Sequence, residues 1–177
     1  MTTDNDRWFT IPNALSISRP ALLPVWWWLM QSGHTTWGAI LIVYAIISDV
    51  ADGWLARRWG QASKWGKVLD PIGDKLSALV VGLFCVTHRD LPLVVFSLMI
   101  ARDLALLVGG LVIMRKTQSP PASIDLGRYA ALLWGLVLLL YAFEWQPYAS
   151  YTVWPVVAVY LMAGFAYVRR LTTAQPS

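Results

Sequence analysis

Four aspartates, Asp49, Asp52, Asp70 and Asp74, fall within one stretch running from Ser48 to Ser77 between strongly apolar runs. They are four of the ten acidic residues in the chain. A carboxylate beside hydrocarbon is costly, so it needs a partner or a task. Asp49 and Asp52 stand three apart and Asp70 and Asp74 four apart, so on helices each pair shares a face. Two helix ends joined by a short basic loop then bring four carboxylates to one place. Anions gathered there repel unless cations sit among them. Hard oxygen ligands suit magnesium or manganese, and two such ions about 4 Å apart serve phosphoryl chemistry. The plainer alternative is that the carboxylates only pair with Arg57, Arg58, Lys67 and Lys75 at a membrane surface.

Gly53, Ala56, Arg57 and Gly66 lie between the two pairs. Small residues let a ligand or a second helix approach the backbone closely. The whole run reads Asp-x2-Asp-Gly-x2-Ala-Arg-x8-Gly-x3-Asp-x3-Asp, and it resembles the signature of the CDP-alcohol phosphotransferases at all eight specified positions. The resemblance implies CDP-diacylglycerol as donor, CMP as leaving group, and an acceptor hydroxyl attacking the phosphorus nearest the lipid. It further implies that Asp49, Asp52, Asp70 and Asp74 hold two Mg2+ or Mn2+ ions, with Asp74 also the general base. Asp52, Gly53, Ala56, Arg57 and Gly66 would contact the nucleotide, Arg57 on phosphate. Homodimers are common in that family.

A second, weaker match lies near the start. IPNALSISRPALLP, from Ile11 to Pro24, resembles the opening of bacterial phosphatidylglycerophosphate synthases, where Pro-Asn-x-Leu-Thr-x2-Arg recurs; here Ser16 replaces the threonine. Further on, Arg102 is a cation near the middle of an apolar run, and its neighbour Asp103 points about 100° away on a helix. Arg102, together with Arg128, reads as a binder of an anionic acceptor; the plainer reading pairs Arg102 with one of the aspartates or with a carbonyl. The Arg102-Asp103 pair resembles an Arg-Glu or Arg-Asp pair of the same synthases. Where those enzymes carry Gly-Lys-x-Lys-Thr, this chain has Gly127-Arg128-Tyr129-Ala130-Ala131, without the second lysine and the threonine. Glycerol 3-phosphate is the expected acceptor, with phosphatidylglycerol or a polyol phosphate as alternatives. The resemblance extends from about Ile11 to Arg128.

Six apolar segments must position these groups: about Pro12–Gln31, Thr36–Ala56, Leu69–Val86, Leu91–Met114, Leu126–Phe143 and Tyr148–Val168. Each is near the ~20 residues a bilayer requires. Asp70 and Asp74 then fall in the first turns of the third helix, where the helix dipole favours acids. Asp90 reads as an N-cap with Pro92 just inside the fourth helix. Trp26, Trp27 and Trp28 suit an interface or lipid contact, and Trp145, Tyr148, Tyr151 and Trp154 form an interfacial aromatic cluster.

Composition agrees with a membrane setting. The chain has 177 residues, read as one domain over 1–177; 57% are hydrophobic, 14% charged, and 11 are tryptophan. A soluble domain of this kind would lack the polar surface to cover itself. A net charge of +4 gives no argument for nucleic acid. The single Cys85 excludes an intramolecular disulfide and reads as a buried hydrophobe. His34 and His88, in short loops, are too few for a zinc site. Arg7, Arg57, Arg58, Lys64, Lys67, Arg115, Lys116, Arg169 and Arg170 fall on the side of the termini, and Arg89 alone lies in a loop on the other. The positive-inside rule therefore places both termini in the cytoplasm. The expectation is an all-α integral membrane protein, in a bacterial inner membrane, with six transmembrane helices and a polar cavity open to the cytoplasmic side. A small transporter or a non-catalytic membrane protein are the readings from other classes.

Overall fold

The computed structural model describes residues 11–58, 66–117 and 125–173, and among these the backbone forms six α-helices and no strand. They are α1 (Ile11–Gln31), α2 (Thr35–Arg58), α3 (Gly66–His88), α4 (Leu93–Thr117), α5 (Asp125–Ala142) and α6 (Tyr148–Thr173). The chain divides into two compact units, Met1–Val81 and Gly82–Ser177, with the division inside α3.

In the first unit, α1 packs along α2. The tight turn between them is a helix C-cap of the Schellman type. Gly33, at φ +79°, donates its N–H to Met30 O, and His34 donates to Leu29 O. A left-handed residue is needed there, and glycine adopts it without a Cβ penalty. The carbonyl of His34 then accepts from Gly38 N and starts α2. Trp26 and Met30 are buried in this pair. A Cβ on Gly38 would come within 2.3 Å of Met30 Sδ, so α2 makes room for the methionine. Of the three consecutive tryptophans, only Trp28 is exposed, and Trp26 belongs to the core rather than to an interface.

In the second unit, α6 packs against both α4 and α5. Phe84, Val95, Met99, Val137, Leu138, Val153 and Tyr160 form the buried core, and Cys85 is buried among them as expected of a small hydrophobe. A Cβ on Gly82 would lie 2.4 Å from Phe96 Cε2, which is how the end of α3 admits the ring. Arg89 ties the turn after α3 to the turn after α5. Its Nε donates to Ala142 O at 3.2 Å, and Nη1 pairs with Glu144. His34 and His88 both lie exposed.

Most helix limits shift from expectation by one to five residues, and two of the shifts change a reading made from the sequence. Helix α3 starts at Gly66 rather than Leu69, which makes Asp70 its fifth residue and Asp74 its ninth. The dipole acts mainly within the first turn, so it does not explain a carboxylate at Asp74. Helix α4 starts at Leu93, and Pro92, not Asp90, has the capping carbonyl, accepting from Phe96 N. Asp90 instead sits at φ 55° within the turn.

Among the described residues, one helical segment, Tyr148–Ala166, is long and apolar enough to cross a bilayer by composition; Thr35–Asp49 and Tyr129–Ala142 are shorter apolar stretches. The polar groups of Ser16, Ser18, Arg19, Asp74, Lys75, Arg102 and Asp103, inside α1, α3 and α4, lower the apolar character of those helices. Elsewhere the helices expose large apolar side chains in number, among them Ile46 and Ile47 on α2, Leu107 and Val108 on α4, Leu132 on α5 and Phe165 on α6.

Candidate active site

The site in the first unit is organised by a residue outside the aspartate motif. Arg19, midway along α1, has a side chain only 6% exposed. Its own helix offers it no acid, because positions three and four away hold Leu15, Ser16, Leu22 and Leu23. A buried guanidinium needs compensation, and the compensation comes from two other helices. Arg19 Nη1 donates to Asp49 Oδ1 of α2 at 2.5 Å and to Asp74 Oδ1 of α3 at 3.1 Å. One nitrogen thus draws one carboxylate from each half of the motif to the same point. Both acids are half-exposed, at 51% and 62%, so the cation is covered while the anions face outward.

Local structure supports this arrangement. Pro20 has no N–H to give the carbonyl of Ser16, which loosens the α1 ladder beside Arg19. Gly73 of α3 lies against that stretch, and a Cβ there would sit 3.9 Å from Ser16 O. Ser18 Oγ donates to Leu15 O and also bonds Tyr44 Oη across to α2, at 2.8 Å. Buried Ser48 donates to Ala45 O just before Asp49.

The backbone puts Asp52 on α2 with Asp49 and Asp70 on α3 with Asp74, so the three- and four-residue spacings share faces as read from the sequence. The side chains of Asp52, Ala56, Arg57, Asp70 and Arg128, with Gly53 and Gly66, lie outside the described residues. Among the described residues no three metal-ligating side chains cluster. The two acids that are described carry the hard anionic oxygens that suit a divalent cation, and both are half-exposed.

A second polar cluster lies in the second unit. Arg102 Nη1 donates to Asp103 Oδ1 at 3.0 Å, and Tyr160 Oη of α6 donates to the same oxygen at 2.5 Å. The guanidinium carbon stands 4.1 Å from the centre of the Tyr160 ring. The 100° between neighbouring side chains therefore does not part Arg102 from Asp103, because the arginine stem is long enough to swing back. The sequence places Arg19 in the second, weaker motif match and among the ionisable groups of the expected cavity but gives it no role, and it passes over Tyr160 altogether. For Arg19 a signal exists, since an arginine inside an apolar helix with no acid at helical spacing must find one on another helix. A tyrosine in α6 carries no such mark.

A family model described as CDP-alcohol phosphatidyltransferase matches residues 9–167. The chain is 44% identical over 115 residues to a Drosophila melanogaster protein named probable cardiolipin synthase (CMP-forming), covering 63% of this chain and 35% of that one. It is 40% identical over 146 residues to the cardiolipin synthase (CMP-forming) of Streptomyces coelicolor, covering 76% and 66%. It is 32% identical over 132 residues to the CDP-diacylglycerol–glycerol-3-phosphate 3-phosphatidyltransferase of Aquifex aeolicus, covering 73% of each. The chain thus spans about a third of the fly protein and just under two thirds of the Streptomyces one.

Proposed function

We propose that this chain, which belongs to the CDP-alcohol phosphatidyltransferase family, is a phospholipid-synthesising enzyme that moves a phosphatidyl group from CDP-diacylglycerol to a glycerol phosphate acceptor. In the step proposed, the acceptor hydroxyl oxygen bonds to the lipid-side phosphorus. The bond from that phosphorus to the bridging oxygen of CMP breaks, CMP leaves, and the hydroxyl proton passes to Asp74. The observation that carries the reading is the meeting of Asp49 and Asp74, from the two halves of the motif, on Arg19 Nη1.

Each group then has a task. Asp49, Asp52, Asp70 and Asp74 would hold two Mg2+ or Mn2+ ions. When bound, these neutralise the pyrophosphate and the charge that grows on the leaving phosphate. Arg19 holds Asp49 and Asp74 from the buried side, so both carboxylates keep their direction. A half-exposed Asp74 remains within reach of an arriving hydroxyl, as a general base must be. Asp52, Gly53, Ala56, Arg57 and Gly66 form the donor's nucleotide site, with Arg57 on phosphate. Arg102 and Arg128 recognise the acceptor.

Glycerol 3-phosphate is the first acceptor to test. Phosphatidylglycerol is favoured by one observation: Asp103 offsets part of the charge of Arg102, which suits the single charge of a phosphodiester better than a monoester dianion. The exposed apolar side chains along every helix suit lipid contact, as for other members of this membrane-protein family. In the proposed setting, the chain acts as one catalytic domain with six spans in a bacterial inner membrane and both termini cytoplasmic, assembled as a homodimer.

The test uses the purified chain in detergent or lipid discs with CDP-diacylglycerol, Mg2+ and, separately, glycerol 3-phosphate, phosphatidylglycerol or a polyol phosphate. CMP and a new phospholipid should appear with one acceptor, stop on chelation, and return with Mg2+ or Mn2+. No CMP with any acceptor, or full turnover in excess chelator, would overturn the proposal and return attention to a transporter or a non-catalytic protein.

A further inference from the structure

Helix α6 has no part in the aspartate motif, yet it holds the Arg102-Asp103 pair of α4 in three ways. The ring of Tyr160 covers a face of the Arg102 guanidinium, 4.1 Å from ring centre to guanidinium carbon. The Tyr160 hydroxyl donates to Asp103 Oδ1 at 2.5 Å, the oxygen that also accepts from Arg102 Nη1. One turn further on, Gly164 leaves the space that the arginine stem crosses. A Cβ there would lie 3.2 Å from Arg102 Cγ, tight enough that the arginine stem would have to give by a few tenths of an ångström. Residues four apart on a helix share a face, so Tyr160 and Gly164 together form one seat. A glycine inside a helix is destabilising relative to alanine, and here its lack of a side chain is what admits the arginine.

The seat holds Arg102 without using all of its donors. Its side chain is 10% exposed, and Nε is buried with no hydrogen-bond partner among the described residues. A buried donor left over in a native site calls for an explanation. Nε itself is enclosed, so an acceptor would meet the guanidinium through the part of the side chain that stays exposed, where the suitable partner is an anionic oxygen, above all one of a phosphate.

We propose that Tyr160 and Gly164 are positioning residues for acceptor recognition. They set the plane and direction of the Arg102 guanidinium, so that its remaining donors meet the acceptor's phosphate. The proposal rests on the reading of Arg102 as an acceptor-binding residue. The Tyr160 ring sets the plane, its hydroxyl holds Asp103 and through it Nη1, and Gly164 keeps the stem from being pushed aside. Acceptor preference is therefore set partly from α6, outside the motif that binds the donor.

The experiment is steady-state kinetics on the full chain with Mg2+, varying CDP-diacylglycerol and acceptor separately, with glycerol 3-phosphate and with phosphatidylglycerol. The variants are Arg102→Ala, Tyr160→Phe and Gly164→Ala. Tyr160→Phe, which keeps the ring and loses only the hydroxyl, should raise the acceptor KM about threefold, and Gly164→Ala about tenfold. The donor KM should stay within about twofold, since a lost binding contact shows in the KM of the substrate it serves. Thermal unfolding of Tyr160→Phe should match the parent, which a merely structural role would not predict together with a selective KM change. If Gly164→Ala does not fold, Tyr160→Phe decides the matter alone. Should Arg102→Ala raise the acceptor KM while Tyr160→Phe and any folded Gly164→Ala leave it unchanged, the positioning role is overturned. Should Arg102→Ala itself leave the acceptor KM unchanged, the acceptor reading of Arg102 falls, and the proposal with it.

Discussion

Replacing Arg19 should harm stability less than replacing Asp49, although among the described residues this one arginine serves two carboxylates. A hydrogen bond to a charged group contributes about 1.5–3 kcal/mol. Asp49 is 51% exposed and Asp74 62%, so solvent screening puts the two contacts at the low end or below it, about 2 kcal/mol together. Against that loss, Arg19→Met takes a guanidinium with 6% exposure out of the interior, which returns several kcal/mol of desolvation, and methionine refills the stem's volume. Without Arg19 the two carboxylates also repel each other, but both are half-exposed and screened, so the net change should stay within about 1 kcal/mol of the parent. Asp49→Asn keeps the buried cation and removes the charge of its closer partner, a loss of about 2 kcal/mol. For a chain of this size that is a fall in Tm of roughly 4–8 °C. In the double variant the asparagine no longer faces a buried charge, so it should be about as stable as Arg19→Met alone. The assay is thermal unfolding followed by tryptophan fluorescence, on protein in lipid discs with chelator present, so that bound metal does not mask the difference. Arg19→Met should nonetheless turn over slowly, since its carboxylates are no longer held together. An Arg19→Met variant less stable than Asp49→Asn, or strict additivity in the double variant, would refute the idea of a buried cation balanced by two outward-facing acids.

Three further outcomes are expected. Asp74→Asn should bind CDP-diacylglycerol normally while transfer falls about 10²- to 10⁴-fold, the usual loss for a general base, whereas Asp52→Asn should weaken metal and donor binding together; equal loss of donor binding in both would remove the base from Asp74. In a Cys85→Ala background, Lys64→Cys and His34→Cys should react with an impermeant thiol reagent from opposite faces of sealed vesicles, and labelling of both from outside would exclude the six-span topology. Gly82→Ala should destabilise by about 1–3 kcal/mol through overpacking, because its Cβ would meet Phe96 Cε2 at 2.4 Å; an unchanged unfolding midpoint would show that the ring moves aside freely.

Much of this protein is legible in its amino-acid order. Six helices follow from apolar runs punctuated by short turns, and their observed limits differ from expectation by at most five residues, while among the described residues one segment, Tyr148–Ala166, is long and apolar enough to cross a bilayer. The spacing of the aspartates points to the family that the comparisons identify. The misreadings share a cause. Trp26 reads as an interfacial anchor within a run of three tryptophans, yet one of the three faces α2 and is buried. Asp90 reads as a cap, but it sits in a left-handed turn before the helix, and the first helical bond runs from Phe96 N–H to the Pro92 carbonyl. In each case, the neighbours that decide the outcome belong to another turn or helix.

The same distinction separates what the chain's residue order determined from what the tertiary structure decided. That Asp49 and Asp52, or Asp70 and Asp74, share a face follows from 3.6 residues per turn and needs only the sequence. Which acids Arg19 meets, and that Tyr160 and Gly164 seat Arg102, does not follow from any spacing. Arg19 stands thirty residues from Asp49 and fifty-five from Asp74. Tyr160 stands fifty-seven from Asp103. Helical periodicity places side chains around one axis. Which faces of separate helices meet is settled by packing, and a buried charge then takes whichever opposite charge that packing brings within reach.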